Sequence, residues 1–341
     1  MSGGISQLVA IGAQDAHLVG NPTVSFFKSK YSRHTNFSHV VQRQVIQGNP
    51  ASNGMSTVRF ERKGDLVSYV YLTVKNSTGV AQAVANRMVD KVELLIGGQV
   101  IDTQDFTFSS NIAPFTTSST ASKANIAGVD TFYPLRFWFC ENVQSSIPLV
   151  ALQYHDVELR ITWGSSFTEG DTAECWADFI YLDTAERQQL SVAPQNMLIY
   201  QVQKAVASQS KIQELNFNHP IKFLATSNTM TAAPTTDKIR MQINGVDIGE
   251  DKTITPHFNS VTCFYHTSLC NRGNDTNVIN LIPFCLDTNK LQPTGSLNFS
   301  RLDSARIVTD ASSGFDQQPI YGVNYNILRI ENGMGGLMYA N

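Results

Sequence analysis

Apolar and polar residues alternate along most of the chain. Leu66-Val67-Ser68-Tyr69-Val70-Tyr71-Leu72-Thr73-Val74 carries β-branched and aromatic side chains at a period of two, the pattern of a strand with one face on a core. Val157 to Trp163 and Asn324 to Ile330 show the same pattern, and Phe132 to Phe139 reads as a further strand. Helical pattern is scarce. It is clearest from Asp183 to Leu190, where Asp183 stands at the N-cap, Glu186 completes a capping box and Pro194 lies just beyond. Many short strands punctuated by Gly, Pro and Asn predict an all-β sandwich or barrel.

The strands repeat. Asp90-Lys91-Val92-Glu93-Leu94-Leu95-Ile96-Gly97-Gly98 is echoed by Asp237-Lys238-Ile239-Arg240-Met241-Gln242-Ile243-Asn244-Gly245, an offset of 147 residues from 90 to 237. Each copy runs into a dipeptide that supplies the positive φ of a tight hairpin. Phe139-Cys140 with Pro148 is echoed by Phe284-Cys285 with Pro293, an offset of 145 from 139 to 284. Val41-Gln42-Arg43-Gln44-Val45 is echoed by Val202-Gln203-Lys204-Ala205-Val206, an offset of 161 from 41 to 202. The echoes keep their order, as two copies of one fold would if the first had longer loops. The copies are expected to meet near Gln195 to Ile199. The aromatic run Phe137-Trp138-Phe139 and the strand at Tyr325 to Ile327 are expected to anchor separate cores.

Composition narrows the function. Charged residues make up 16% of the 341, against about 25% in an average soluble protein. A surface rich in neutral polar groups desolvates cheaply against partners. The net charge of −3 argues against direct coating of nucleic acid, which calls for a basic protein. Apolar runs such as Leu94-Leu95-Ile96 are too short for a membrane helix, and Met1 to Ile5 has no signal-peptide character. The five cysteines form no Cys-x-x-Cys pair, so packed, reduced thiols are expected.

The chain offers little chemistry. No His-x-His, His-Glu-x-x-His, Gly-x-Ser-x-Gly or phosphate-binding Gly-rich motif occurs among its residues. His155-Asp156 reads as structural hydrogen bonding, and Asp156 with Glu158 as a solvated or salt-bridged strand edge. Arg59, Arg62 and Lys63 beside Glu61 and Asp65 make a mixed-charge face. No catalytic, cofactor or metal residues are assigned, and no enzyme is expected.

One set of motifs is specific. Near the start stand Gln14-Asp15, Asn21-Pro22 and Phe26-Phe27-Lys28, then Tyr31-Ser32-Arg33-His34-Thr35-Asn36-Phe37. In the same order follow Pro134-Leu135-Arg136-Phe137-Trp138-Phe139-Cys140, then Pro148 and Gln153-Tyr154-His155. Near the end stand Asn298-Phe299-Ser300-Arg301-Leu302-Asp303, Tyr325 within Asn324 to Ile330, and Gly335 within Gly333 to Leu337. Taken together, these closely resemble the major capsid proteins of nucleocytoplasmic large DNA viruses, over essentially the whole chain. The short turns depart from the family, whose members are usually longer in their outward loops.

The resemblance implies two tandem eight-stranded jelly rolls, a double jelly roll with few short helices. It divides the chain into an arm over 1–27, a first roll over 28–195 and a second over 196–341. It implies a homotrimeric, pseudo-hexagonal capsomer that tiles an icosahedral virion shell assembled in the host cytoplasm. Minor capsid proteins and an inner viral membrane are the implied further partners. A carbohydrate-binding jelly-roll module or adhesin is the alternative from the residues alone, and a small monomeric solution state would favour it.

Overall fold

The computed structural model describes residues 3–10, 12–19, 27, 35–82, 88–117, 131–206, 208–227, 230–231, 233–268, 279–316 and 318–340. Residues 1–36 form one compact unit and 37–341 another. The smaller unit contributes two short helices, Gly3–Val9 and Ala13–Val19.

In the larger unit the strands are β1 (Ser38–Gln44), β2 (Ile46–Gln47), β3 (Met55–Arg59), β4 (Leu66–Lys75), β5 (Val89–Ile96), β6 (Gln99–Asp105), β7 (Tyr133–Pro134), β8 (Ile147–Pro148), β9 (Val157–Trp163) and β10 (Thr172–Tyr181). After a helix at Thr184–Val192 come β11 (Gln195–Val206), β12 (Ile212–Glu214), β13 (Pro220–Ser227), β14 (Lys238–Ile243), β15 (Val246–Thr253), β16 (Ile279–Pro283), β17 (Leu297–Asn298), β18 (Ala305–Thr309), β19 (Pro319–Glu331) and β20 (Met334–Leu337).

The two sets pair in the same way. The first gives sheets β1-β10-β4-β7, with β8 also on β4, and β2-β3-β9-β5-β6. The second gives β11-β19-β13-β16, with β17 on β13, and β12-β18-β14-β15. Taking β1 with β2, β7 with β8, and β16 with β17 as single interrupted strands, and leaving β20 aside, gives eight per sandwich, the jelly-roll order. Among the described strands only β20, hairpinned onto β19, has no counterpart in the first set.

Register verifies two of the three echoes residue by residue. Val41 faces Asp178, which follows the Ala177–Val70 pair, and Val202 faces Val323, which follows the Gly322–Leu224 pair. Leu94 faces Leu159 and Met241 faces Ile307. Ile96 pairs with Gln99 across Gly97-Gly98 (φ 58° and 82°), and Ile243 with Val246 across Asn244-Gly245 (φ 50° and 80°). Two consecutive positive-φ residues make the turn whose twist matches the flanking strands. The remaining echo slips. Pro148 pairs with Leu66 at the start of β4, and the residue paired with Pro220 at the start of β13 is Asn298, not Pro293.

Three further expectations are corrected. The strand expected over 132–139 spans only Tyr133–Pro134, and the chain turns into a short helix at Trp138–Glu141. Pro134 has no N–H for a ladder, and the aromatic residues beyond it are buried whichever way they point. The helix at Thr184–Val192 forms, yet Asp183 makes no side-chain cap bond; its backbone carbonyl accepts from Arg187 N at 2.9 Å. The cores are not separate at the join, since Ile199, Leu328 and Ile330 from the second set of strands pack with Phe137, Trp138 and Phe139.

Candidate functional site: the seam between the two sandwiches

Sequence alternation places inward residues of β6 on the side facing β11, and there the chain carries polar groups. Asp102 and Gln104 are buried. The Asp102 carboxylate accepts from Val202 N at 2.8 Å, Thr103 N at 2.9 Å and Gln104 Nε2 at 2.9 Å. Gln201 Nε2 donates to the Ile101 carbonyl, and Asn326 Nδ2 donates to Gln201 Oε1 at 2.8 Å. At the end of this ladder Asp105 accepts from Lys204 Nζ and Tyr321 Oη, both at 2.7 Å. Directional bonds of this kind fix one arrangement of two blocks, where apolar contact alone would allow sliding.

A cleft beside the ladder is lined by Arg136, Trp138 and Glu141 from one side and by Tyr200, Lys222 and Tyr325 from the other. Burial pushes the Asp102 carboxyl up to about 7 against its three donated hydrogen bonds. Burial likewise takes Glu141 to about 7, opposed by Tyr200, Lys222 and Arg136. Lys222 is lowered by burial; its ammonium donates to the Thr288 carbonyl and lies 5.8 Å from the ring centres of both Tyr200 and Tyr325. Burial raises Tyr325 to about 12.

The second fastening joins two motifs 180 residues apart. The β19–β20 hairpin turns at Asn332-Gly333 and lies against the loop after β8: Tyr154 N donates to Gly333 O at 2.9 Å. His155 Nδ1 lies 2.8 Å from the Gly335 carbonyl oxygen. Arg62 Nη2 donates to the carbonyls of Leu152 and Gln153, both at 2.7 Å, and Arg59 pairs with Asp156 at 2.5 Å. Both pairings agree with the structural reading of His155, Asp156 and the mixed-charge cluster.

Gly97 is pressed against this loop. A Cβ on it would sit 2.4 Å from His155 Nδ1, and its φ is +58°. Gly97→Ala is expected to cost about 1–3 kcal/mol, from left-handed strain and displacement of His155. Urea melts of the variant and of Gly98→Ala, whose Cβ would meet nothing, separate the clash from the strain they share.

The remaining motif residues scatter. Gln14 and Asp15 are exposed on helix Ala13–Val19, with Asp15 accepting from Gly12 N at 3.1 Å. Asn21, Pro22, Tyr31, Arg33 and His34 lie outside the described residues. Phe37 is exposed just before β1. Phe137, Trp138 and Pro148 are buried in the first sandwich. Asn298 caps the turn that contains Phe299 and Arg301 by accepting from Ser300 N at 3.1 Å, and Asp303 N donates to Asn244 Oδ1 at 2.9 Å. The structure thus joins Gln153, Tyr154 and His155 to Gly335, and Trp138 to Tyr325, and leaves the others apart. Asp102, Glu141, Tyr200 and Lys222 were not singled out from sequence. Asp102 alone carried a signal there, as an acid at an inward position of an alternating strand.

A family model described as "Major capsid protein N-terminus" matches residues 25–183, and one described as "Large eukaryotic DNA virus major capsid protein" matches residues 225–336. The major capsid protein of Pyramimonas orientalis virus is 34% identical over all of both chains. The chain belongs to the major capsid protein family of large eukaryotic DNA viruses. The major capsid protein of Paramecium bursaria Chlorella virus 1 is 31% identical, again over all of both chains. These two alignments run over 397 and 442 positions for 341 residues, so the relatives carry insertions relative to this family member. A solved structure described as a quasi-atomic model of the PBCV-1 virus capsid superposes with a TM-score of 0.75 at 25% identity, covering 93% of this chain and 100% of that one. Membership makes the role structural rather than enzymatic and does not favour a carbohydrate-binding module.

Proposed function

We propose that three copies of this chain close around a three-fold axis into a pseudo-hexagonal capsomer, and that such capsomers tile an icosahedral virion shell. The observation that carries the reading is the pair of sandwiches with one strand order, fastened as a single block by the Asp102 ladder and the β19–β20 hairpin. Three such blocks present six sandwiches, and closed symmetry satisfies every interface without open polymerisation. Assembly in the host cytoplasm is part of the same reading.

Residues 28–195 and 196–341 are the two rolls in this proposal, and 1–27 is an arm that serves assembly. The arm meets minor capsid proteins or the inner viral membrane. Light scattering of the purified chain should return about three times 37.6 kDa. A chain lacking residues 1–20 should give the same trimer, melting within a few degrees of the intact protein, and fail to form particles. A monomer at micromolar concentration sinks the trimer, and a deletion that unfolds it sinks the arm's assigned role.

A further inference from the structure

The cleft beside the Asp102 ladder gathers hydrogen-bond donors that the fold leaves without acceptors. Thr117, Arg136, Trp138 and Glu141 line it from the first roll, and Lys222 and Tyr325 from the second. Trp138 Nε1, Thr117 Oγ1 and Tyr325 Oη are buried and have no hydrogen-bond partner among the described residues. Trp138 is 1% exposed and Thr117 5%. One buried donor without a partner is costly, and three around one cleft call for a shared acceptor.

Charge points the same way. Arg136 and Lys222 are each 5% exposed. The Lys222 ammonium meets the Thr288 carbonyl and the faces of Tyr200 and Tyr325, and no carboxylate pairs with it among the described residues. A buried cation calls for a countercharge. Glu141 is the one acid lining the cleft among the described residues. Burial holds its carboxyl up at about 7, so below neutrality it donates a hydrogen bond and supplies no countercharge. Indole, ammonium and guanidinium groups donate and cannot accept. Water, which must donate as well as accept, suits such a lining less well than an anion does.

We propose that this cleft binds one small monovalent anion, of halide or nitrate size, which accepts from Trp138, Thr117 and Tyr325 and balances the charge of Lys222 and Arg136. Size sets the class. The cleft holds about 40 Å³, where one water needs roughly 10–15 Å³. That is room for such an ion with a water or two, and too little for a bulky organic acid. The ion touches both rolls, so it adds a third fastening to the seam, in a single chain and in a trimer alike.

Thermal melting of the full-length protein at pH 6 and fixed ionic strength tests this, with sodium chloride exchanged stepwise for sodium gluconate. The melting temperature should climb by about 2 °C for each tenfold rise in chloride above the dissociation constant. Bromide and nitrate should replace chloride. Lys222→Met should lose the dependence, and Lys63→Met, whose ammonium pairs with Glu61 at 2.8 Å outside the cleft, should keep it. Trp138→Phe should cost more in chloride than in gluconate, because the indole N–H has its acceptor only when the ion is bound. If Lys222→Met does not fold, wild-type crystals soaked in sodium bromide decide the matter. An anomalous bromine peak within hydrogen-bonding reach of Trp138 Nε1 and Lys222 Nζ is expected. Ordered water without anomalous signal in the cleft, or equal melting in chloride and gluconate, overturns the site. A bromine peak with no dependence of melting on chloride marks an adventitious ion only and overturns it as well.

Discussion

Replacing Trp138 with alanine is expected to lower stability by about 3–5 kcal/mol, the range for emptying a large aromatic site in a packed core. Trp138 is 1% exposed, meets the Phe139 ring edge-on at 5.5 Å and packs beside Phe137, which stacks on Phe139 at 5.9 Å. It also lines the cleft at the seam. Its indole Nε1 is buried with no hydrogen-bond partner among the described residues. Trp138→Phe should therefore cost clearly less than half as much as the alanine, because most of the ring stays and an unsatisfied donor leaves. Guanidinium melts of the two variants check both expectations. Full-yield trimer with an unshifted midpoint in the alanine variant would show the side chain to be peripheral.

The second large effect is a loss of stability as pH rises from the acid range to neutrality. Asp102 and Glu141 each titrate at about 7 in the fold, pushed up by burial. A carboxyl raised in this way binds its proton more tightly folded than unfolded. Its contribution is complete below the unfolded value near 4 and fades as pH rises through about 7. For Asp102 the whole effect is on the order of 4 kcal/mol. The melting temperature should fall between about pH 4 and pH 7 and level off above, and Asp102→Asn, which keeps an acceptor for Val202 N and Thr103 N, should flatten that fall. Parallel slopes for the two proteins would remove Asp102 from the account.

Where one physical rule governs, the fold was legible in the chain. Alternation marked β4, β9 and β19, because a strand with one buried face must repeat every two residues. Two hairpins were readable because Gly97-Gly98 and Asn244-Gly245 meet a backbone demand few residues meet. The Val41–Val202 echo held because pairing fixes every position along a central strand. Pro148 and Pro293 share no such constraint; each lies by a loop, and Asn298 fills the matching place. The helical segments after β6 and β15 escaped notice, since residues such as Phe108, Ile112 and Phe115 are buried between two sheets and show no polar face. At the seam, Asp102 was visible as a misfit, whereas Glu141, Tyr200 and Lys222 acquire meaning only once folding brings distant segments together.

The β19–β20 hairpin also bears on how the protein is made. The first core is closed by Leu328, Ile330 and Leu337, residues that leave the ribosome long after β10. Tandem domains ordinarily fold one by one during synthesis. Here the nascent first sandwich must wait, its apolar lid missing, until β19 and β20 emerge, and that long-range closure makes the final step slow. A chain terminated before β19 keeps an open core and is fit for a chaperone or a protease rather than a shell.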